Sequence, residues 1–109
     1  EGAWKAPVEL GKVNIKPNQL AIFNLDDNHS GIHINKADFT FSSRNNFMHN
    51  PTIGGHPAFN VKDIKLFIKK LKSSDIAVTD AKIYAMPNIH QIYFFDPSAN
   101  IIEVNQNIN

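Results

Sequence analysis

The sequence of 109 residues contains no cysteine. This absence excludes a disulfide scaffold, a thiolate zinc site and a cysteine nucleophile, and it leaves the redox compartment open. The sequence also lacks any apolar run that approaches the roughly 20 residues needed to cross a bilayer. No signal peptide is visible. We therefore expect a cytoplasmic protein without a membrane partner.

Neither sign of charge is in excess, because 11 basic and 10 acidic residues give a net charge of +1. This balance gives no argument for nucleic acid or an acidic membrane as a partner. The densest basic run, at 62–72, falls on a predicted helix with an apolar face, which is typical of a solvated helix surface. A chain that is 42% hydrophobic and 19% charged fits one small globular domain.

The second half of the chain has the clearer secondary-structure pattern. Residues 56–61 predict a short strand in which His56, Ala58 and Asn60 share one face. The apolar spacing in 62–73 predicts a helix, for which Asn60 is the expected N-cap. Three further strands are predicted at 76–86, 90–95 and 101–106. The order of elements is therefore β-α-β-β-β.

Alternation within the last two strands assigns their side chains to faces. Gln91, Tyr93 and Phe95 share one face of the first, and Glu103 and Asn105 share one face of the second. Tyr93 and Phe95 are candidates to line a cavity. The alternative is that they belong to the ordinary core, where aromatic strand residues are more often found.

The first half of the chain has no helix of comparable length. Strands are predicted at 4–10, 12–15 and 19–25, with a turn at 17–18. The polar, asparagine-rich stretch that follows has only two short apolar pieces, at 31–34 and 39–41. A long connection with so little pattern is usually functional or flexible. We interpret residues 28–53 as a linker that has room for one extra strand.

Three histidines fall in the predicted linker. His29 and His33 are four residues apart, which is a zinc-like spacing on a helix. Gly31 lies between them and argues against a helix. We therefore assign His29, His33 and His49 to the surface or to the linker itself.

The segments HPAFNVKDIKLFIKKLKSSDIAV and HQIYFFDPSANIIEVNQ share an order of features with a known family. His56 opens a strand, Asp63 starts a helix, and a closing motif follows. That motif consists of Tyr93, Asp96, Pro97, Asn100, Ile102 and Glu103. With this order and spacing, the second half resembles the C-terminal module of the vicinal oxygen chelate superfamily. The superfamily includes glyoxalase I, bleomycin-resistance proteins, fosfomycin-resistance enzymes and extradiol dioxygenases. The usual glycine of the turn is Ala99 here.

The resemblance implies an α+β fold in which two paired βαβββ modules form a curved mixed sheet around a cleft. It divides a single domain into an incomplete N-terminal module at 1–27, the linker at 28–53 and a complete C-terminal module at 54–109. The first strand and helix of the N-terminal module are then absent, which fits either a fragment or a shortened gene product. We expect a homodimer, since an exposed sheet edge would need a partner.

The metal-dependent members of the superfamily bind a divalent ion with one residue from each of four strands. The resemblance therefore implies that His56 and Glu103 are ligands, with Glu103 also available as a general base. It places Asn24 at the third ligand position. Asp26 lies two residues after Asn24 and is expected on the same face of the strand, so it would take the ligand position if the register shifts. Asp27 is expected on the opposite face and is the poorer candidate. The fourth position lies on the absent strand. Zinc, nickel, manganese and iron are all candidate ions.

Two functions stay open from the sequence. The first is a metal-dependent, glyoxalase-like lyase, isomerase or transferase that acts on a small oxygen-bearing substrate. The second is a metal-free module that sequesters a small molecule, as the bleomycin-resistance relatives do. In both cases Tyr93, Phe95 and Asn60 are expected to line the cavity. In the second case His56 and Glu103 form a hydrogen-bonded pair in the wall of a pocket.

Overall fold

The computed structural model describes residues 3–4, 20–24, 31–84 and 86–108. The first described strands form a three-stranded antiparallel sheet of order β1-β2-β3. Its members are β1 (Ala3–Trp4), β2 (Leu20–Asn24) and β3 (Gly31–Asn35). The prediction of a strand at 19–25 is confirmed by β2, and the extra strand in the predicted linker is β3. Residues 5–19, which include the strand predicted at 12–15, lie outside the described residues.

The remaining elements confirm the predicted β-α-β-β-β unit. After a short helix α1 (Phe41–Arg44), they are β4 (Ala58–Asn60), α2 (Ile64–Ser73), β5 (Thr79–Ile83), β6 (Ile89–Phe95) and β7 (Ile101–Asn107). The four strands form one mixed sheet of order β4-β7-β6-β5. Strand β4 is parallel to β7, and the other neighbours are antiparallel. The α+β class is therefore confirmed.

Helix α2 begins three residues later than its predicted cap. The N-cap is Asp63, whose side chain accepts a hydrogen bond from the backbone N–H of Leu66 at 3.0 Å. The prediction of Asn60 as N-cap was wrong, because Asn60 is still paired with Asn105 in the sheet. A carboxylate that accepts from the first turn is a favoured helix start.

The helix covers one face of the four-stranded sheet. Ile64 and Leu71 of α2 are buried against Ile92 of β6 and Val104 of β7. This is the face that the alternation pattern assigned to Ile92. No helix among the described residues is long and apolar enough to cross a membrane.

The opposite face of the sheet is covered by part of the predicted linker. Phe41 of α1 is buried in a cluster with Tyr84 and Tyr93, and Phe47 packs against the same cluster. The Phe47 and Tyr84 rings meet edge to face with centroids 5.5 Å apart. Residues 41–49 therefore belong to the packed body of the protein. The division of the chain into modules stays a prediction.

The turn between β6 and β7 has the tight geometry predicted for 96–100. The Asp96 carboxylate accepts from the backbone N–H groups of Ser98 and Asn100, each at 2.9 Å. Ala99 has a φ of 63°, in the left-handed region that favours glycine. This conformation explains why the motif that the chain resembles usually has a glycine at the position of Ala99.

Candidate functional site

The fold brings His56 and Glu103 together. Strand β4 runs parallel to β7 with Ala58 opposite Glu103, and the Glu103 N–H donates to the carbonyl oxygen of Pro57 at 3.0 Å. His56 directly precedes Pro57 in the chain, so its side chain reaches that of Glu103. Its Nε2 lies 3.2 Å from Glu103 Oε1. The two residues that the motif selected are neighbours on the face opposite α2.

The carboxylate of Glu103 accepts hydrogen bonds from the side chains of His56 and, through Nδ2 at 2.7 Å, Asn105. The buried hydroxyl of Tyr93 lies close enough to lower the pKa of this carboxylate as well. Burial on its own raises the pKa of Glu103, but the hydrogen bonds from His56 and Asn105 outweigh it and hold the pKa below its ordinary value. Glu103 is therefore an anion at neutral pH, although only 8% of the residue is exposed.

Two tyrosine hydroxyls lie beside the ionised carboxylate. A carboxylate only accepts, so His56 donates to Glu103 from Nε2. The hydroxyl of Tyr84 forms a hydrogen bond with that of Tyr93. Burial first, and the charge of Glu103 in addition, raise the pKa of both tyrosines, so both stay neutral.

Sequence reasoning missed Tyr84. Alternation assigned no faces in this part of the chain, and just before Tyr84 the register of β5 against β6 shifts between Asp80 and Lys82. A shift of this kind changes which side chains face the site. The available signal was a hydroxyl-bearing aromatic residue within an apolar strand segment.

The other predicted site residues have different surroundings. Tyr93 is buried beside the His56 ring, with an edge-to-face centroid distance of 5.8 Å. Asn60 and Phe95 are exposed, and Phe95 contacts His49. Asn24 ends β2 opposite Gly31 of β3, and its role as third ligand stays a prediction. Asp26, Asp27 and His29 lie outside the described residues.

The separation of the His56 and Glu103 donor atoms suits a shared metal ion. Ligand distances of about 2.0–2.2 Å place two adjacent donor atoms roughly 3 Å apart around one ion. The observed 3.2 Å between Nε2 and Oε1 is of that size. Within residues 31–84 and 86–108, no group of three or more histidine, aspartate or glutamate side chains gathers into a metal-binding cluster. The pair thus supplies two donor atoms, fewer than the three or more ligands of a metal-binding cluster.

His49 is not at the surface, so that prediction was wrong. The residue is 1% exposed. Thr79 Oγ1 accepts from the backbone N–H groups of Met48 at 3.1 Å and His49 at 3.0 Å, and it lies 2.6 Å from His49 Nδ1. Because both acceptor positions of the hydroxyl are used, its proton points to Nδ1. His49 is therefore neutral, with its ring proton on Nε2. A contact that joins residues 30 positions apart leaves no local sequence pattern.

This arrangement makes the stability of the fold depend on pH. Burial lowers the pKa of His49 below its ordinary value of 6.5. The unfolded chain therefore takes up a proton at a higher pH than the folded protein does. The stabilisation from neutral His49 is complete above pH 6.5 and is lost as the pH falls from there toward the folded pKa.

We expect urea unfolding to show this loss between about pH 7.5 and pH 5. His49→Asn is the matched variant, because its amide oxygen can accept from Thr79 and does not titrate. The variant should lose less stability over this range than the wild type. Equal pH dependence in the two proteins would contradict the assignment to His49.

His33 and His90 lie apart from the pair. His33 is exposed on β3, as predicted for a surface residue. His90 Nε2 is 2.6 Å from Asp80 Oδ1, and its position in β6 alternates with that of Gln91. The His90–Asp80 pair is thus a second histidine–carboxylate contact on the other face of the sheet.

Comparison with known proteins gives one structural match. No protein-family model matches the sequence, and no curated protein shows significant similarity to it. A search of solved structures finds a crystal structure of a Bacillus anthracis protein that is provisionally assigned to the glyoxalase family. The two share 30% identity over 81% of this chain, with a TM-score of 0.46. The present chain spans 62% of the length of that protein.

Proposed function

We propose that the chain is a glyoxalase-like protein of the vicinal oxygen chelate type. His56 and Glu103 supply two donors of a divalent-metal site that binds a small oxygen-bearing substrate. The main support is the 3.2 Å separation of Nε2 and Oε1 across neighbouring parallel strands. His56 opens the βαβββ unit and Glu103 belongs to its closing motif, so both donors are residues that the resemblance selected.

The chemistry of the donor set agrees with this proposal. Imidazole nitrogen and carboxylate oxygen suit zinc, nickel, manganese and iron. Such an ion, when bound, polarises substrate oxygens. Glu103 is anionic and is oriented by Asn105 at Oε2, and its carboxylate is also available as a general base toward a bound substrate. The reaction class is a lyase, isomerase or transferase step.

The remaining donors must come from other parts of the site. Asn24 is the proposed third ligand, and the fourth position belongs to the first strand of the N-terminal module. A homodimer is part of the proposal. Every residue of β3 is exposed, and β3 is an edge strand of the described three-stranded sheet, so a second chain can pair there.

Metal titration of the purified protein tests the proposal. We expect stoichiometric binding of at least one of Zn²⁺, Ni²⁺, Mn²⁺ or Fe²⁺ in calorimetry and elemental analysis. His56→Ala and Glu103→Gln should each weaken metal binding by more than about 100-fold. Mutating even a hydrogen-bond partner of a metal ligand lowers metal affinity by roughly 10–100-fold, and these variants remove the ligands themselves. His90→Ala is the control, because it removes a histidine that pairs with a carboxylate on the other face.

Two results would refute the proposal of a metal-dependent protein. One is a wild-type protein that binds none of these ions under any supplementation. The other is equal loss of affinity in His90→Ala and His56→Ala, which would place the ion elsewhere or make it non-specific.

A metal-free binding module is the second candidate. The observation in its favour is that Glu103 already accepts hydrogen bonds from His56 and Asn105, which hold its pKa low without an ion. In this case the protein binds a small aromatic or cationic molecule with unchanged affinity in the presence of a chelator. Loss of that binding on chelation would favour the metal-dependent function.

A further inference from the structure

A row of amide side chains crosses the sheet beside Glu103. Asn60 of β4, Asn105 of β7 and Gln91 of β6 are direct neighbours in the register. This row lies two residues along the strands from the row that contains Glu103 and Tyr93. Because residues two apart in a strand share a face, the amide row and Glu103 project from the same face of the sheet.

Two carbonyl oxygens in this row are buried and lack a donor. Gln91 is 5% exposed, and neither its Oε1 nor Asn105 Oδ1 has a hydrogen-bond partner among the described residues. The orientation of the Asn105 amide is fixed, since its Nδ2 donates to Glu103 Oε2 at 2.7 Å and the carboxylate cannot donate in return. Lys82, opposite Gln91 on β5, is exposed and makes no hydrogen bond to it.

Unpaired buried acceptors are rare in folded proteins, and these two call for a donor that the described residues do not supply. Both atoms here are acceptors, so the missing group must carry N–H or O–H. The neighbouring anionic carboxylate of Glu103 makes a positively charged donor more favourable than a neutral one. An ammonium group has three N–H donors, which matches two carbonyl oxygens and one carboxylate.

We infer that Gln91 and Asn105 form a subsite for a protonated primary amine on the ligand that binds beside Glu103. The inference rests on the proposed function, because it concerns the ligand of that same site. The ligand is then a small molecule that carries an amine close to the end that binds the metal or the Glu103 carboxylate.

Titration of the full ¹⁵N-labelled chain with n-butylammonium tests the subsite. We expect saturable shifts of the side-chain NH₂ signals of Gln91 and Asn105. 1-Butanol, which has a similar length but no charge, should bind about tenfold more weakly, and butyrate should not bind. Gln91→Met should weaken n-butylammonium binding by about tenfold. Equal binding of butanol and butylammonium, or undiminished binding to Gln91→Met, would overturn the inference.

The stability of the free protein provides the matched control. Gln106 lies one residue from Asn105, and its Oε1 accepts from the Ile64 N–H of α2 at 2.8 Å. Gln106→Met removes an acceptor that is in use and should lower the melting temperature. Gln91→Met removes one that is not, so the melting temperature should stay unchanged or rise. Equal losses in both variants would show that Gln91 has a partner within the protein and would overturn the subsite.

The experiments test the subsite and the metal site independently of each other. Metal binding without any response to butylammonium refutes the subsite and leaves the proposed function in place. Saturable butylammonium binding at Gln91 in a protein that binds no metal supports the subsite, and it then belongs to the metal-free candidate.

Discussion

Replacing Glu103 by alanine is expected to lower the free energy of unfolding by about 3–5 kcal/mol. The reason is that His56 and Asn105 both donate to this one buried carboxylate. Removing it leaves two polar groups without their acceptor on a face where Tyr93 is fully buried. A loss of that size is a large part of the roughly 5–15 kcal/mol that stabilises an ordinary domain.

Urea unfolding at neutral pH measures this loss. Glu103→Gln is the matched control, since it keeps the volume and one acceptor oxygen but removes the charge. Its loss should be smaller than that of Glu103→Ala. A change below about 1 kcal/mol in Glu103→Ala would show that the two hydrogen bonds contribute no more than a surface contact does. The account of the site as one connected network would then be wrong.

Ile92→Ala is expected to destabilise the protein by about 2–5 kcal/mol. Ile92 is 0% exposed in the central strand β6, where it packs under Ile64 and Leu71 of α2. Truncation therefore leaves a cavity between the sheet and the helix that neighbouring residues fill only in part. The same residue keeps β6 in register with β7, which carries Glu103.

The control is Ile83→Ala on the edge strand β5. Ile83 is 44% exposed, so the same chemical change should cost less than about 1 kcal/mol. Both variants can be measured by chemical unfolding under identical conditions. Similar losses in the two would contradict the placement of the core between α2 and the sheet.

Alternation in β6 and β7 made much of the site predictable. Ile92 faces the helix while Tyr93 faces Glu103, so each strand has two distinct faces, and a period of two assigns them correctly. The pairing of His56 with Glu103 came from the family resemblance and not from local pattern. The geometry agrees with it because β4 and β7 are parallel neighbours.

The failures have local and long-range causes. Asn60 and Asp63 are both good N-cap residues, and sequence alone does not say that Asn60 remains paired in the sheet. The bulge in β5 moved Tyr84 into the site, which no regular period anticipates. His49 is buried through Thr79, a partner far along the chain. The proposed role of Asn24 as third ligand depends on how the N-terminal strands meet this module, and local patterns carry no information on that.

The proposed function requires His56 and Glu103 to bind one divalent ion together. Crystals of the full chain soaked in Mn²⁺ and measured at the manganese absorption edge test this directly. We expect an anomalous-difference peak about 2.0–2.3 Å from both His56 Nε2 and Glu103 Oε1, in place of the hydrogen bond between them. No peak at this position, with the Nε2–Oε1 hydrogen bond intact, would contradict it.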